Sequence, residues 1–160
     1  MKQILFAVSA FVCCYLIACN DNNTNSGNDK NLSTSRDIFK GIETGDTTKL
    51  NSIAADAVDH AGPMGEITSG DSIKAMLAQI HTHVKDLKIE ILNDASSGDY
   101  VYTWNTWSGT ALDSLMGFTA NQPFKTTSVD IVKFRDGKAV EHWGFLDQKE
   151  VNTMRAQMMP

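Results

Sequence analysis

The stretch from Phe124 to Leu146 constrains this chain more than any other. Two runs rich in apolar and β-branched residues, Phe124 to Arg135 and Lys138 to Leu146, flank the pair Asp136-Gly137. Asp-Gly between two such runs marks a two-residue type I′ turn and hence an antiparallel hairpin. If Arg135 pairs with Lys138, then Phe134 faces Ala139, Val132 faces Glu141 and Asp130 faces Trp143. Paired side chains share a face, and faces alternate along each strand. This register predicts one face carrying Ser128, Asp130, Val132, Phe134, Trp143 and Phe145. The other carries Val129, Ile131, Val140, His142 and Leu146. A slip of one residue would exchange the faces.

The rest of the chain supplies partners for the hairpin. Ser33 or Thr34 caps a helix with Ile38, Phe39 and Ile42 on one face and Gly45 beyond its end. Asp46 or Thr47 caps a second, short helix with Leu50 and Ile53, and Asp56 to Ala61 reads as extended. Gly70-Asp71 opens a longer helix, with Ile73, Met76, Leu77 and Ile80 at helical spacing. Leu87, Ile89 and Ile91 alternate with Lys88 and Glu90 as in a half-buried strand, and Tyr100 to Trp107 is dense in strand-forming residues. Gln148 to Met158 forms a short terminal helix. Helices first and antiparallel strands after them define an α+β fold, with helices packed on one face of a bent sheet.

The amino-terminal end carries a different message. Lys2 precedes an apolar run from Ile4 to Ala18 that ends in Leu16-Ile17-Ala18-Cys19. A charged start, a short apolar core and small residues at the cut describe a secretory signal peptide. The Leu-x-Ala-Cys ending resembles the lipobox of bacterial lipoproteins, which implies lipidation of Cys19 and cleavage before it. Several acyl chains on one residue suffice for stable anchoring. The expected organisation is a signal peptide over residues 1–18, a flexible Asn/Asp/Ser/Gly-rich tether over 19–31, and one domain over 32–160. The expected location is exported and membrane-anchored, facing the periplasm or the cell surface. Cys13 and Cys14 fall in the discarded segment, so the fold must stand without disulfides. The net charge of −5 becomes more acidic once Lys2 is lost, and no Lys/Arg cluster exists to neutralise phosphates. Nucleic acid is not an expected partner.

Asp130 stands out chemically. In the register above it is a carboxylate on a largely aromatic face, where desolvation favours the neutral acid. Such an acid can donate a hydrogen bond to a substrate oxygen. The bland alternative is an exposed Asp, or one satisfied by a neighbouring hydroxyl. Trp104 and Trp107 differ by three on a strand and face opposite sides, so one lines a cavity and the other packs or meets a partner. His81-Thr82-His83 makes no metal site, because helix positions two apart diverge by about 200°.

Several blocks together resemble a known family. Gly45-Asp46, Asp56-Ala57-Val58-Asp59-His60, Val129-Asp130-Ile131-Val132-Lys133-Phe134 with Asp136-Gly137-Lys138, then Glu141-His142-Trp143 and Asp147 match in order and spacing. They resemble the SnoaL-like polyketide cyclases of the nuclear transport factor 2-like superfamily, which includes ketosteroid isomerase, over about Ser33 to Met158. The resemblance implies a cone-shaped α+β fold, with a curved antiparallel sheet and helices around an apolar pocket. It implies His60 as catalytic base and Asp130 as catalytic acid. Trp143 and Trp104 would be pocket walls, with Phe39 and His142 as further contacts. No cofactor or metal is implied. The expected ligand is a small apolar carbonyl compound, undergoing isomerisation, aldol cyclisation or elimination by acid/base chemistry. The chain departs from ketosteroid isomerases at Ile38, which stands where they carry a tyrosine on the first helix. Two other readings stay open on the same fold: a non-catalytic binder of small hydrophobic ligands, and a dimerisation module. A homodimer is the expected assembly.

Overall fold

A computed structural model describes residues 22–62, 65–114, 117–147 and 149–150. Its centre is the hairpin of β4 (Pro123–Arg135) and β5 (Lys138–Leu146). Asp136 and Gly137 both take positive φ, 54° and 74°, as a type I′ turn demands. Arg135 pairs with Lys138 and Phe134 with Ala139, as the turn predicts.

One step further the ladder slips. Between Phe134 and Lys133 a β-bulge shifts the register, so Lys133 pairs with Glu141, Val132 with His142, Ile131 with Trp143 and Asp130 with Gly144. The cause is visible in the burial. Ala139 and Val140 are consecutive and both buried, which strict alternation forbids and one extra residue on β5 permits. The pairing of Asp130 with Trp143 expected from the turn is therefore corrected, and everything on β5 beyond the bulge changes face.

Three further strands complete the sheet in the order β1-β5-β4-β3-β2. These are β1 (Ile53–Asp59), β2 (Val84–Ser97) and β3 (Tyr100–Ala111). Neighbours are antiparallel except at the edge, where β1 runs parallel to β5 and brings Asp59 beside His142. The ladder between β2 and β3 breaks register twice, at Lys85/Lys88 and Ile91/Asn93. Such irregularities bend a sheet, and here they curl it toward the helices.

Two helices close the concave side. The first, α1, spans Asn22–Thr44 and packs chiefly on β2. It begins well before the expected cap at Ser33 or Thr34, so Asn22 to Asn31 is helix where an irregular tether was expected. Polar composition weakens helix propensity without forbidding a helix, and tertiary contact decides. Here Asn31 is buried and Lys30 lies against Gly137 at the hairpin turn. Gly45, at φ 73°, ends the helix, and Asp46 caps a 3-10 turn over Thr47–Ser52 by accepting from Thr48 N at 3.1 Å. The second helix, α2, spans Gly70–His83, capped by Ser69. A Cβ at Gly70 would sit 1.9 Å from the Ala54 carbonyl oxygen, so only glycine lets α2 rest on β1.

Ile73 and Ile80 of α2, Phe39 and Ile42 of α1, and Val101, Val132 and Phe134 of the sheet form the core. Full burial of each such side chain contributes about 1.5–3 kcal/mol. Among the described residues no helix is long and apolar enough to cross a membrane. The signal segment 1–18 and Cys19 lie outside the described residues, as does the terminal helix expected from Gln148 apart from Lys149 and Glu150.

Candidate active site

Between the helices and the sheet lies a cavity of about 860 Å³. Phe39 and Ile42 of α1, Ile73 and Leu77 of α2, and Trp107 and Val132 of the sheet make its walls apolar. Its polar end is built by three adjacent strands. Asp59 closes β1, His142 stands beside it on β5, and Asp130 comes from β4. His142 Nδ1 lies 2.8 Å from Asp59 Oδ1, and Nε2 lies 2.9 Å from Asp130 Oδ1. The result is a carboxylate–imidazole–carboxylate chain across the sheet.

Each acid is held from behind. Asp59 Oδ1 also accepts from Ala61 N at 2.8 Å. Asp130 Oδ2 accepts from Asn105 Nδ2 at 2.7 Å. Ser128 Oγ lies 2.8 Å from that same Oδ2 and 2.9 Å from Asn105 Oδ1, so its single proton is shared between two acceptors. Asn105 is fully buried, whereas Asp130 remains 8 % exposed, on the cavity. Gly144, opposite Asp130, leaves open the space beside the carboxylate: a Cβ there would stand 3.5 Å from Oδ1.

The electrostatics follow from this packing. Burial alone would push His142 toward the neutral imidazole. The hydrogen bonds and charges of Asp130 and Asp59 outweigh it and raise the pKa to about 9. Burial works against ionisation of Asp59 too, yet His142 and the Ala61 amide hold its carboxyl below the usual range. At neutral pH His142 is therefore an imidazolium with both ring N–H groups donating. Asp130, expected on a largely aromatic face, is instead surrounded by His142, Asn105 and Ser128.

The structure redistributes the other expected site residues. Phe39 lines the cavity as expected. His142, which the turn register puts on the face opposite Asp130 and the resemblance makes a pocket contact, lines it as well, because the bulge turns β5 over. The same turn carries Trp143 to the outside. His60, the expected base, is absent from the cavity wall and faces outward too. Its ring stacks on Trp143 with centroids 4.9 Å apart, Nδ1 lies 2.6 Å from Glu66 Oε2, and Nε2 is 3.7 Å from Glu141 Oε2. Trp104 is 50 % exposed on the outer face, and Trp107, at the opposite parity, is the tryptophan of the cavity. Asp59 was missed. Its signal was the alternation of β1, in which Ala57 and Asp59 share the buried phase and His60 does not. The two histidines near the end of α2 serve separate bonds, His81 Nε2 to Ile42 O at 2.5 Å and His83 Nδ1 to Asp113 Oδ2 at 2.6 Å.

A curved sheet closed by helices over an acid-bearing apolar cavity defines the nuclear transport factor 2-like class. Within it, the chain belongs to the SnoaL-like polyketide cyclase family, whose sequence model matches residues 34–155. Solved structures agree in fold. TsrD from Streptomyces laurentii superposes with TM-score 0.68 at 18 % identity, over 79 % of this chain and 94 % of that one. An LEH-like epoxide hydrolase from M. tuberculosis gives 0.66 at 11 %, over 81 % and 92 %. IdmH from Streptomyces antibioticus, described as a candidate polyketide cyclase, gives 0.64 at 26 %, over 80 % and 97 %. No curated protein matches the chain.

Proposed function

We propose that this protein is a cofactor-independent acid/base catalyst acting on a small apolar carbonyl compound, with Asp130 as the proton carrier. The observation that carries the reading is the Asp59–His142–Asp130 chain at the polar end of an apolar cavity. Asp59 and Asp130 both line the cavity, and Asp130, held by Asn105 and Ser128, is the more exposed of the two at 8 % against 4 %. It takes a proton from the carbon next to the carbonyl, and the C–H electron pair becomes that of the enolate. The proton then returns to another carbon, or the enolate carbon attacks a second carbonyl, closing a ring, and Asp130 returns the proton to the new alkoxide. His142 is a positioning residue: both its ring nitrogens are engaged, by Asp59 and by Asp130, and fix the orientation of the Asp130 carboxyl. His60 has no part in this step.

The reading extends to where the protein works. Leu16-Ile17-Ala18-Cys19 supports lipidation of Cys19 and tethering to a membrane of the exported compartment. A paired row of outer-face side chains supports a homodimer: Trp104 beside Val129 and Val129 beside Phe145, all exposed.

The test is deuterium exchange. The full chain is incubated in D2O with 2-tetralone, and label at the carbons next to the carbonyl is followed by NMR. Exchange above background that is lost in Asp130→Asn and kept in His60→Gln supports the reading. A ketone that binds without accelerated exchange would replace it with the hydrophobic-ligand-binding reading.

A further inference from the structure

Helix α1 carries hydroxyl side chains that behave in two ways. Thr34 Oγ1 donates to Lys30 O at 2.9 Å, and Thr44 Oγ1 to Lys40 O at 2.7 Å. Bonding to the carbonyl one turn back is the ordinary resting place of a hydroxyl inside a helix. Ser35, next to Thr34, does not take it. Its Oγ is buried and has no hydrogen-bond partner among the described residues, and the residue is only 1 % exposed while lining the cavity.

A buried hydroxyl without a partner costs free energy, and native structures rarely leave one. Alanine at the same position would remove that cost and favour the helix. No described residue supplies the compensating contact. We propose that Ser35 Oγ is the hydrogen-bonding anchor for the ligand, which carries an oxygen acceptor on an otherwise apolar skeleton. The rest of the α1 wall, Ile38, Phe39 and Ile42, offers that ligand no other hydroxyl.

The anchor and the reactive carboxylate line the same cavity. Arg36 forks onto Asp94, with Nε 2.6 Å and Nη2 2.8 Å from its two oxygens. Asp94 registers with Thr103, and Thr103 with Asp130. Arg36, next to Ser35, thus ties α1 to Asp94 on the rung of the sheet that carries Asp130, and Asp94 and Asp130 are two strand spacings or about 10 Å apart. A ligand oxygen held at Ser35 fixes which carbon reaches Asp130. The inference rests on the cavity being a ligand site, as read above, and not on the proton-transfer step.

Two probes of closely similar shape separate the contributions: 2-acetylnaphthalene, whose ketone oxygen accepts, and 2-isopropenylnaphthalene, in which a CH2 group replaces that oxygen. Binding to the full chain is read by tryptophan fluorescence, with Trp107 in the cavity wall. Wild type is expected to prefer the ketone about tenfold. Ser35→Ala is expected to bring that ratio to about one by weakening ketone binding alone, and His60→Gln, outside the cavity, to leave it at about ten. The urea midpoint of unliganded Ser35→Ala should be unchanged or higher. A ratio that survives in Ser35→Ala overturns the anchor alone. A lower midpoint does the same, because the hydroxyl then serves the fold. Failure of both probes to bind wild type overturns the ligand-site reading and the anchor with it.

Discussion

His142 reaches Asp130 because the ladder between β4 and β5 slips at the bulge, bringing Val132 rather than Ile131 opposite His142. Without that extra residue His142 would point away from the cavity. The same bulge turns Trp143 outward, where it stacks on His60. One irregularity in one hairpin thus decides which imidazole belongs to the site and which to the surface.

Removing the cation should expose what it balances. His142→Gln leaves Asp59 and Asp130 facing one another without the charge between them. Breaking a buried pair by deleting one partner costs about 3–5 kcal/mol, and the lower end suits a side chain that is 32 % exposed. Urea unfolding at pH 7 should show a loss of about 3 kcal/mol, and a loss below 1 kcal/mol would show that the carboxylates are solvated. His60→Gln, changing a ring on the outer face, should cost far less.

Stability should depend on pH with a definite sign. The folded pKa of His142 is raised to about 9 from 6.5. Its contribution is therefore complete below pH 6.5 and disappears as pH rises through about 9, a change of about 3 kcal/mol. Asp59 works the other way. Its folded value is lowered, so its contribution is present above 3.8 and fades as pH falls below that. Urea unfolding across pH 4 to 10 should show highest stability between about 4 and 6.5 and a decline toward 9. The decline should vanish in His142→Gln.

Gly144→Ala tests the space beside Asp130. The new methyl would stand 3.2 Å from Ala61 Cβ and 3.5 Å from Asp130 Oδ1, which small shifts accommodate. Stability should change by less than about 1 kcal/mol. Deuterium exchange into 2-tetralone should fall about tenfold, because the methyl occupies the approach to the carboxylate.

The outer face tests the assembly. Trp104 and Phe145, 50 % and 56 % exposed, flank Val129 in one apolar row. Replacing Trp104 with Glu should convert a dimer to a monomer in analytical ultracentrifugation while leaving the far-UV circular dichroism intact. An unchanged sedimentation coefficient would remove this face from the assembly.

Much of this was legible before any coordinates. Asp136-Gly137 announced the turn, the spacing of Ile73, Leu77 and Ile80 announced α2, and the order of blocks announced the family. What escaped were features set by tertiary contact. No local signal distinguishes Ala139-Val140 as a bulge from two residues in strict alternation, yet every face assignment on β5 depends on it. The start of α1 was hidden for a related reason. Asn, Asp, Ser and Gly compose both tethers and weak helices, and only the contact of Lys30 with Gly137 separates the cases. Asp59 was within reach, since the period of β1 places it, and not His60, on the buried phase.

The most direct test of the account is the charge state of His142 in the full chain, read from its ring nitrogens by 15N NMR as pH is raised. The account predicts two protonated ring nitrogens at pH 7.5, titration near pH 9, and a downward shift in Asp130→Asn. A neutral ring at pH 7.5, titrating near 6.5 and indifferent to Asp130→Asn, would contradict it.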